Sequence, residues 1–408
     1  CVNKIFCLHR QSKEEFFMKN FKKIFAVLLA LTLVVTCFAA CGGDKKNDAK
    51  EIVIGISGPL TGGAAQYGNA VVNAAKLAID EINAAGGING TNLKLVTADD
   101  EGDPGDKAVS AYNSLKDQGM QIFLGTVTTG SCLAVIDKTA ADNMFQLTPS
   151  ASADAVIAND NCFQICFNDS NQGVGSAQYI AENNVATKVA VIYDSSNAYS
   201  TGIYNTFKAE ATKRNIALVA EQSFTKDSNK DFSAQIQACK TSGADLIFLP
   251  IYYQEASLIL KAAESASYAP KFFGCDGLDG LLAMNGFDKK LAEGVMLLTP
   301  FAADADDAAI QKFVSAYKAK YNNEIPNQFA ADAYDGVYII AELLKANNVT
   351  ADMTASQICD ILKKAICSNG FSYNGLTGAG AALTWDASGA VSKKPMAVVI
   401  KDGAYVAL

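Results

Sequence analysis

The sequence predicts an α/β protein of two lobes, each a parallel sheet flanked by helices. Three observations predict it: apolar, β-branched runs without polar alternation, amphipathic stretches between them, and short Gly-bounded turns after most of the runs. The pattern occurs in two successive series, which is what makes two lobes of it. At 408 residues, 50% hydrophobic and 19% charged, the chain is long enough to give each lobe its own core.

The first series runs EIVIGIS (51–57) then a helix over about 67–85, NLKLVTAD (92–99) then a helix over about 107–118, and QIFLG (121–125) then a helix over 131–142. The second runs KVAVIYD (188–194), a helix over 200–214, IALVAEQSF (216–224), a helix over 231–241, DLIFLP (245–250) and a helix over 254–267. KFFG (271–274) adds a short strand, FQICF (163–167) reads as another, and helix patterns resume over 305–321 and 327–347. The segment TGAGAALTWDASGAVSKKPMAVVIKDGAYV (377–406) reads as β-rich closing strands. The distinctive turns GISGPLTGG, GTVTTG and GCDGLDG follow strands, and open parallel sheets collect ligands at the carboxyl ends of their strands.

The amino end has a different character. Lys19, Lys22 and Lys23 precede an apolar run, Ile24 to Ala40, that ends in Phe38-Ala39-Ala40-Cys41. This is the pattern of an export signal, and small residues directly before a cysteine are similar to a bacterial lipobox, with Phe38 in place of the usual Leu. The expected organisation is an upstream extension (1–17), a lipoprotein signal peptide (18–40) and a charged tether (41–50) that starts at a lipidated Cys41. An uncleaved transmembrane anchor is the alternative, since the run approaches the ~20 residues that span a bilayer. Both place the remainder outside the cytoplasm.

Without residues 1–40 the chain keeps 28 basic and 40 acidic residues, a formal charge of −12. Nucleic acid is therefore not an expected partner, nor is an anionic membrane surface beyond the lipid anchor. The sole histidine, His9, leaves with the leader, which removes the usual base or ligand from seryl, cysteinyl and zinc chemistry. No enzyme activity, cofactor or metal site is expected. Seven cysteines follow Cys41; Cys162 and Cys166, four residues apart in a strand, would have Cα atoms about 13 Å apart, too far for a disulfide. Free buried thiols are expected. The acidic run ADDEGDPGD (98–106) lacks the glycine at loop position six and the terminal glutamate of an EF-hand calcium loop, and reads as a strand end and loop.

QIFLGTVTTGSC (121–132) poses the functional question. Four hydroxyls, from Thr126, Thr128, Thr129 and Ser131, crowd a strand-to-helix turn that carries no charge. Such a turn either caps its helix or offers unpaired N–H groups to an anion. TPSAS (148–152) is a second hydroxyl-bearing turn, open to the same two readings.

An ordered set of segments decides between them: AQYG (65–68), AIDEINAAGGINGTNLKLV (78–96), DDEGDP (99–104), GTVTTG (125–130), TPSAS (148–152), FNDSNQG (167–173), YDSSNAYSTG (193–202), IYYQEA (251–256), GCDGLDG (274–280) and LTWDASG (383–389). Together they cover nearly the whole chain after the leader, and the chain resembles the type I periplasmic binding proteins for branched-chain amino acids. The resemblance implies two doubly wound α/β lobes, 51–168 plus 301–376 and 169–300 plus 377–408, joined by three hinge crossovers near 168–172, 297–302 and 376–382. A ligand is then trapped between the lobes of a clamshell.

The resemblance also implies a site. Thr129 and Ser152 would bind the ligand carboxylate, with Thr128 in the same turn, and the Ser150 carbonyl, beside Ala151, would accept from the ammonium. Tyr67 and Val127 would wall the ligand side chain, with Tyr199 and Tyr252 facing it from the second lobe. Asp276 stands where the Leu/Ile/Val receptors carry a glutamate and would pair the ammonium; Leu278 stands where many relatives carry Trp. The implied protein is a monomeric, lipid-anchored, extracytoplasmic receptor that captures an amino acid, branched-chain in the first instance, and passes it to an ABC permease. A sensory receptor for an amino acid, small amide or carboxylate using the same clamshell is the competing expectation.

Overall fold

The computed structural model describes residues 50–408; the leader-like run and Cys41 lie outside the described residues. The described chain builds two sheets. In the first, β1 (Ile52–Gly58), β2 (Leu93–Asp99), β3 (Ile122–Leu124), β4 (Gln146–Thr148) and β5 (Cys162–Gln164) pair in parallel in the order β2-β1-β3-β4-β5. The second contains β6 (Lys188–Asp194), β7 (Ala217–Phe224), β8 (Leu246–Leu249), β9 (Lys271–Gly274), β10 (Met296–Thr299), β11 (Met396–Lys401) and β12 (Ala404–Ala407), ordered β12-β11-β10-β9-β8-β6-β7. Its first five strands are parallel; β11 and β12 join antiparallel at one edge.

The helices alternate with the strands as the apolar periodicity requires. They are α1 (Ala65–Ala84), α2 (Asp106–Asp117), α3 (Thr129–Ala141), α4 (Asp169–Glu182), α5 (Ala198–Lys213), α6 (Ser233–Ser242), α7 (Tyr253–Ser265), α8 (Ala308–Lys320), α9 (Gln328–Ala346) and α10 (Ala355–Ile366). Strands such as β3, β4 and β8 are buried throughout, because helices cover both faces of their sheets. Helix α9 lies against α1 and reaches β3, so the chain returns to the first sheet after building most of the second.

The parallel core of the second sheet, β7-β6-β8-β9-β10, repeats the strand order of the first. In each sheet the order reverses beside the first strand, between β1 and β3 and between β6 and β8, and the crevice at the carboxyl ends of such strands is where open α/β sheets bind ligands. The topology thus presents two equivalent crevices.

Some expectations are corrected. Only Phe163 and Gln164 of FQICF lie in a strand, at the end of β5 (Cys162–Gln164), after which the chain turns into α4. Residues 377–395 carry isolated bridges in place of strands, Trp385 with Val391 and Leu383 with Tyr373, because Gly378, Gly380, Gly389 and Pro395 interrupt the pairing. All seven described cysteines are free, six of them buried. Among the described residues no helix is long and apolar enough to cross a membrane.

Candidate functional site

The carboxyl ends of the two sheets face each other across a small cavity, lined by Tyr67, Val127, Thr128, Thr129, Ser150, Ser152, Tyr199, Tyr252, Asp276, Gly277 and Phe329. Nine of the ten candidate residues from the sequence come together there. Ala151 does not line it: its N–H donates to Thr148 Oγ1, and its carbonyl accepts from Gln164 Nε2 and Cys166 Sγ.

On the first-sheet side, Thr128 is the residue that precedes α3, and no side chain caps the helix's first turn. The hydroxyls are committed elsewhere. Thr128 Oγ1 donates to Ser131 Oγ at 3.0 Å and Ser131 Oγ to the Asp103 carbonyl at 3.0 Å. Thr129 Oγ1 accepts the N–H of Ser152 at 3.2 Å and of Ala153 at 3.4 Å, leaving its own proton to donate. Capping by Thr129 or Ser131, the local alternative, is absent. What remains is an uncharged helix N-terminus, braced to the TPSAS turn by Thr129 and open towards the cavity.

The second-sheet side carries a buried carboxyl group. Asp276 follows β9, is 3% exposed, and takes the Tyr199 hydroxyl on Oδ1 at 2.6 Å, while its N–H donates to Gln172 Oε1 at 3.0 Å. Burial pushes its carboxyl up to about 7, although the Tyr199 and Gln172 hydrogen bonds pull the other way. Tyr199 also accepts the Gly277 N–H at 3.0 Å, and a Cβ at Gly277 would lie 2.6 Å from that hydroxyl, so glycine is required for this close approach. Tyr252 stacks on Tyr199 with ring centroids 5.0 Å apart.

A second carboxylate lies beneath. Asp169, the first residue of α4, is 2% exposed and both of its oxygens lack a hydrogen-bond partner. Burial first, and Asp276 second, raise its carboxyl well above the usual range. Gly202 on α5 lets it approach, since a Cβ there would stand 3.1 Å from Asp169 Oδ2. None of the cavity-lining residues is Lys or Arg.

Contacts bridge the cavity from both sides. Tyr67 on α1 donates to the Gly277 carbonyl at 2.5 Å and accepts the Tyr253 N–H at 3.3 Å; its ring meets Phe329 edge-on at 4.7 Å. Gln66 donates through its N–H to the Tyr253 hydroxyl at 3.3 Å and through Nε2 to the Ala283 carbonyl at 3.3 Å.

Sequence reasoning missed Phe329, Gly277 and Asp169. Gly277 and Asp169 sit inside motifs that were singled out, GCDGLDG and FNDSNQG, whereas Phe329 had no signal beyond its place in a helix pattern.

The fold that places these two crevices is shared with known proteins. A family profile described as periplasmic binding protein matches residues 51–399. The chain belongs to the periplasmic binding protein family, in its type I form. Among its relatives is the Leu/Ile/Val-binding protein homolog 3 of Brucella melitensis, 33% identical over 323 residues that make up 78% of this chain and 85% of the relative. The leucine-, isoleucine-, valine-, threonine- and alanine-binding protein of Pseudomonas aeruginosa is 30% identical over 298 residues, 72% of this chain and 78% of that one. The crystal structure of the branched-chain amino acid transporter substrate binding protein LivJ from Streptococcus pneumoniae, in complex with isoleucine, superposes with a TM-score of 0.77 at 28% identity, covering 88% of this chain and all of that one.

Proposed function

We propose that this periplasmic binding protein captures a free α-amino acid, in the first instance a branched-chain one, in the cavity between its two sheets. The observation that carries the reading is the polarity of the cavity. Its second-sheet side holds Asp276 with Asp169 behind it, and no lining residue is a cation. Burial drives these carboxyls towards their protonated forms, and a positive group arriving beside Asp276 would restore its charge. The opposite wall is a bare helix N-terminus with the Thr129 hydroxyl, which favours an anion. A zwitterion satisfies both walls at once: its ammonium meets Asp276 and the Ser150 carbonyl, its carboxylate meets Thr129, Ser152 and the first turn of α3. Tyr67, Val127 and Phe329 then surround its side chain.

The relatives named for leucine, isoleucine and valine support the branched-chain assignment, and the apolar wall agrees with it. The wider reading is an extracytoplasmic lipoprotein, anchored through Cys41 and acting as a monomer, in which two lobes close on the ligand and deliver it to an ABC permease. It rests on the lipobox-like FAAC run and on the family. Thermal denaturation against a panel of the twenty amino acids tests the ligand class: a binder at 100 times its dissociation constant should stabilise by about 2.7 kcal/mol. Stabilisation by leucine, isoleucine or valine supports the reading. A panel without any response, with stabilisation by a carboxylate lacking an amine, would move the ligand to another class.

A further inference from the structure

Asp279, three residues beyond Asp276, is buried with 6% exposure on the loop that follows β9. Its Oδ2 accepts the backbone N–H of Gln328 at 2.9 Å. Gln328 is the first residue of α9, the helix that packs on α1 beside the first sheet, so this bond joins the two sides of the cavity. We propose that Asp279 is a closure latch: a positioning residue that holds the first turn of α9 against the cavity and thereby slows ligand release. The proposal rests on the reading that a ligand occupies this cavity.

Three features of the contact point this way. The turn that Asp279 grips carries Phe329, whose ring lines the cavity and meets Tyr67 edge-on. The Gln328 side chain reaches back to the Asp276 carbonyl at 3.5 Å, so the same turn touches the loop of the ammonium-facing carboxylate at two points. Third, α9 is 19 residues long, and the N–H groups and positive dipole end of its first turn suit a carboxylate. Asn327 already caps the turn by accepting the Ala330 N–H, so α9 does not depend on Asp279 for its own start.

The Tyr405 hydroxyl on β12 reaches the Asp279 carboxyl from the same side of the cavity and helps hold it in place, and among the described residues no cation stands beside it. Asp279 borders a second small cavity together with Thr299, Asn327 and Tyr405, and no Lys or Arg lines it. The carboxylate's electrostatic counterpart is therefore the helix end, reached only while the two sides are together. Opening would hand the Gln328 N–H to water and leave the carboxyl with Tyr405 and water. Closure regains a charge-assisted hydrogen bond in a dry setting, so the latch favours the closed form without touching the ligand.

The test compares wild type with Asp279→Asn, which keeps an oxygen acceptor without the charge, and Asp279→Ala, which keeps neither. Small-angle scattering of the ligand-free proteins reads closure, and stopped-flow binding of L-leucine reads release. The latch predicts a larger radius of gyration for Asp279→Ala than for wild type, leucine release roughly tenfold faster, an unchanged association rate, and intermediate behaviour for Asp279→Asn. Equal scattering and equal release, with only a lower melting temperature, would overturn it and leave Asp279 a structural helix partner. If wild type does not bind leucine, the ligand reading fails, and ligand-free scattering alone decides the latch: expansion of Asp279→Ala supports it and identity with wild type refutes it.

Discussion

The two walls of the cavity have the same topology and opposite chemistry. Each stands at the carboxyl ends of a sheet ordered alike, beside the strand where the order reverses. The first-sheet wall has hydroxyls, a bare helix N-terminus and no charged side chain; the second-sheet wall has a buried carboxylate, a second one behind it and two stacked tyrosines. A repeated fold therefore does not repeat a site. It provides two equivalent places, and the loops make one suited to an anion and the other to a cation. The ligand that matches such a pair carries both charges a short distance apart.

Removing the charge from one wall should have the largest effect. Asp276→Ala leaves a ligand ammonium without its nearest counterion, and truncating one member of a buried charge pair costs about 2 to 5 kcal/mol. Leucine affinity should fall by at least roughly thirtyfold in titration calorimetry. In the ligand-free protein the same change should not destabilise at pH 8, because an ionised, buried Asp276 is itself unfavourable there.

Next comes the uncharged wall. Ser152→Ala removes a hydroxyl from the carboxylate side and should weaken leucine by about 1.5 kcal/mol with little change in melting temperature. Thr129→Ala should lower both affinity and stability, since it also strips the acceptor from the Ser152 and Ala153 N–H groups; Thr129→Ser should restore both. Loss of stability alone in Thr129→Ala would make this wall structural and break the contrast.

The pH dependence sharpens it further. Folding raises the Asp276 carboxyl to about 7 from an ordinary value near 4, with burial as the main cause. A group raised in this way contributes stability that is complete below pH 4 and is lost as pH climbs through 7, so the ligand-free melting temperature should fall over that window. Affinity should move oppositely, rising from pH 5 towards pH 8 by at most about tenfold per pH unit, because an ammonium needs the ionised carboxylate and its binding expels the proton. Calorimetry at pH 6 in buffers of different ionisation enthalpy should detect that release. The smallest effect is expected from Tyr67→Phe, which keeps the apolar wall and loses the bond to the Gly277 carbonyl: roughly 1 kcal/mol of affinity.

The sequence was most readable where one physical signal acted alone. KVAVIYD and KFFG coincide with β6 and β9 residue for residue, since buried parallel strands are continuous apolar runs. Helix α4 escaped notice because Gly173 and Gly175 dilute its helical pattern; those glycines serve packing, and a Cβ at Gly173 would lie 2.0 Å from Thr206 Oγ1 on α5. Helix α10 carries a local start signal in its sequence, the capping box of Thr354 and Gln357. In the site, motif-bearing turns brought nine candidates to one cavity. Phe329 could not be found this way, because it reaches the cavity through the return of α9 to the first sheet, a tertiary event with no local signature.

The claim that the second wall exists to meet an ammonium has a direct test in a double-mutant cycle. Leucine and its des-amino analogue, 4-methylpentanoate, are titrated into wild type and Asp276→Ala. If Asp276 pairs the amine, wild type prefers leucine strongly, the variant loses most of that preference, and the two losses couple by more than about 1 kcal/mol. Additive losses, or a wild type that binds 4-methylpentanoate as tightly as leucine, would contradict the account.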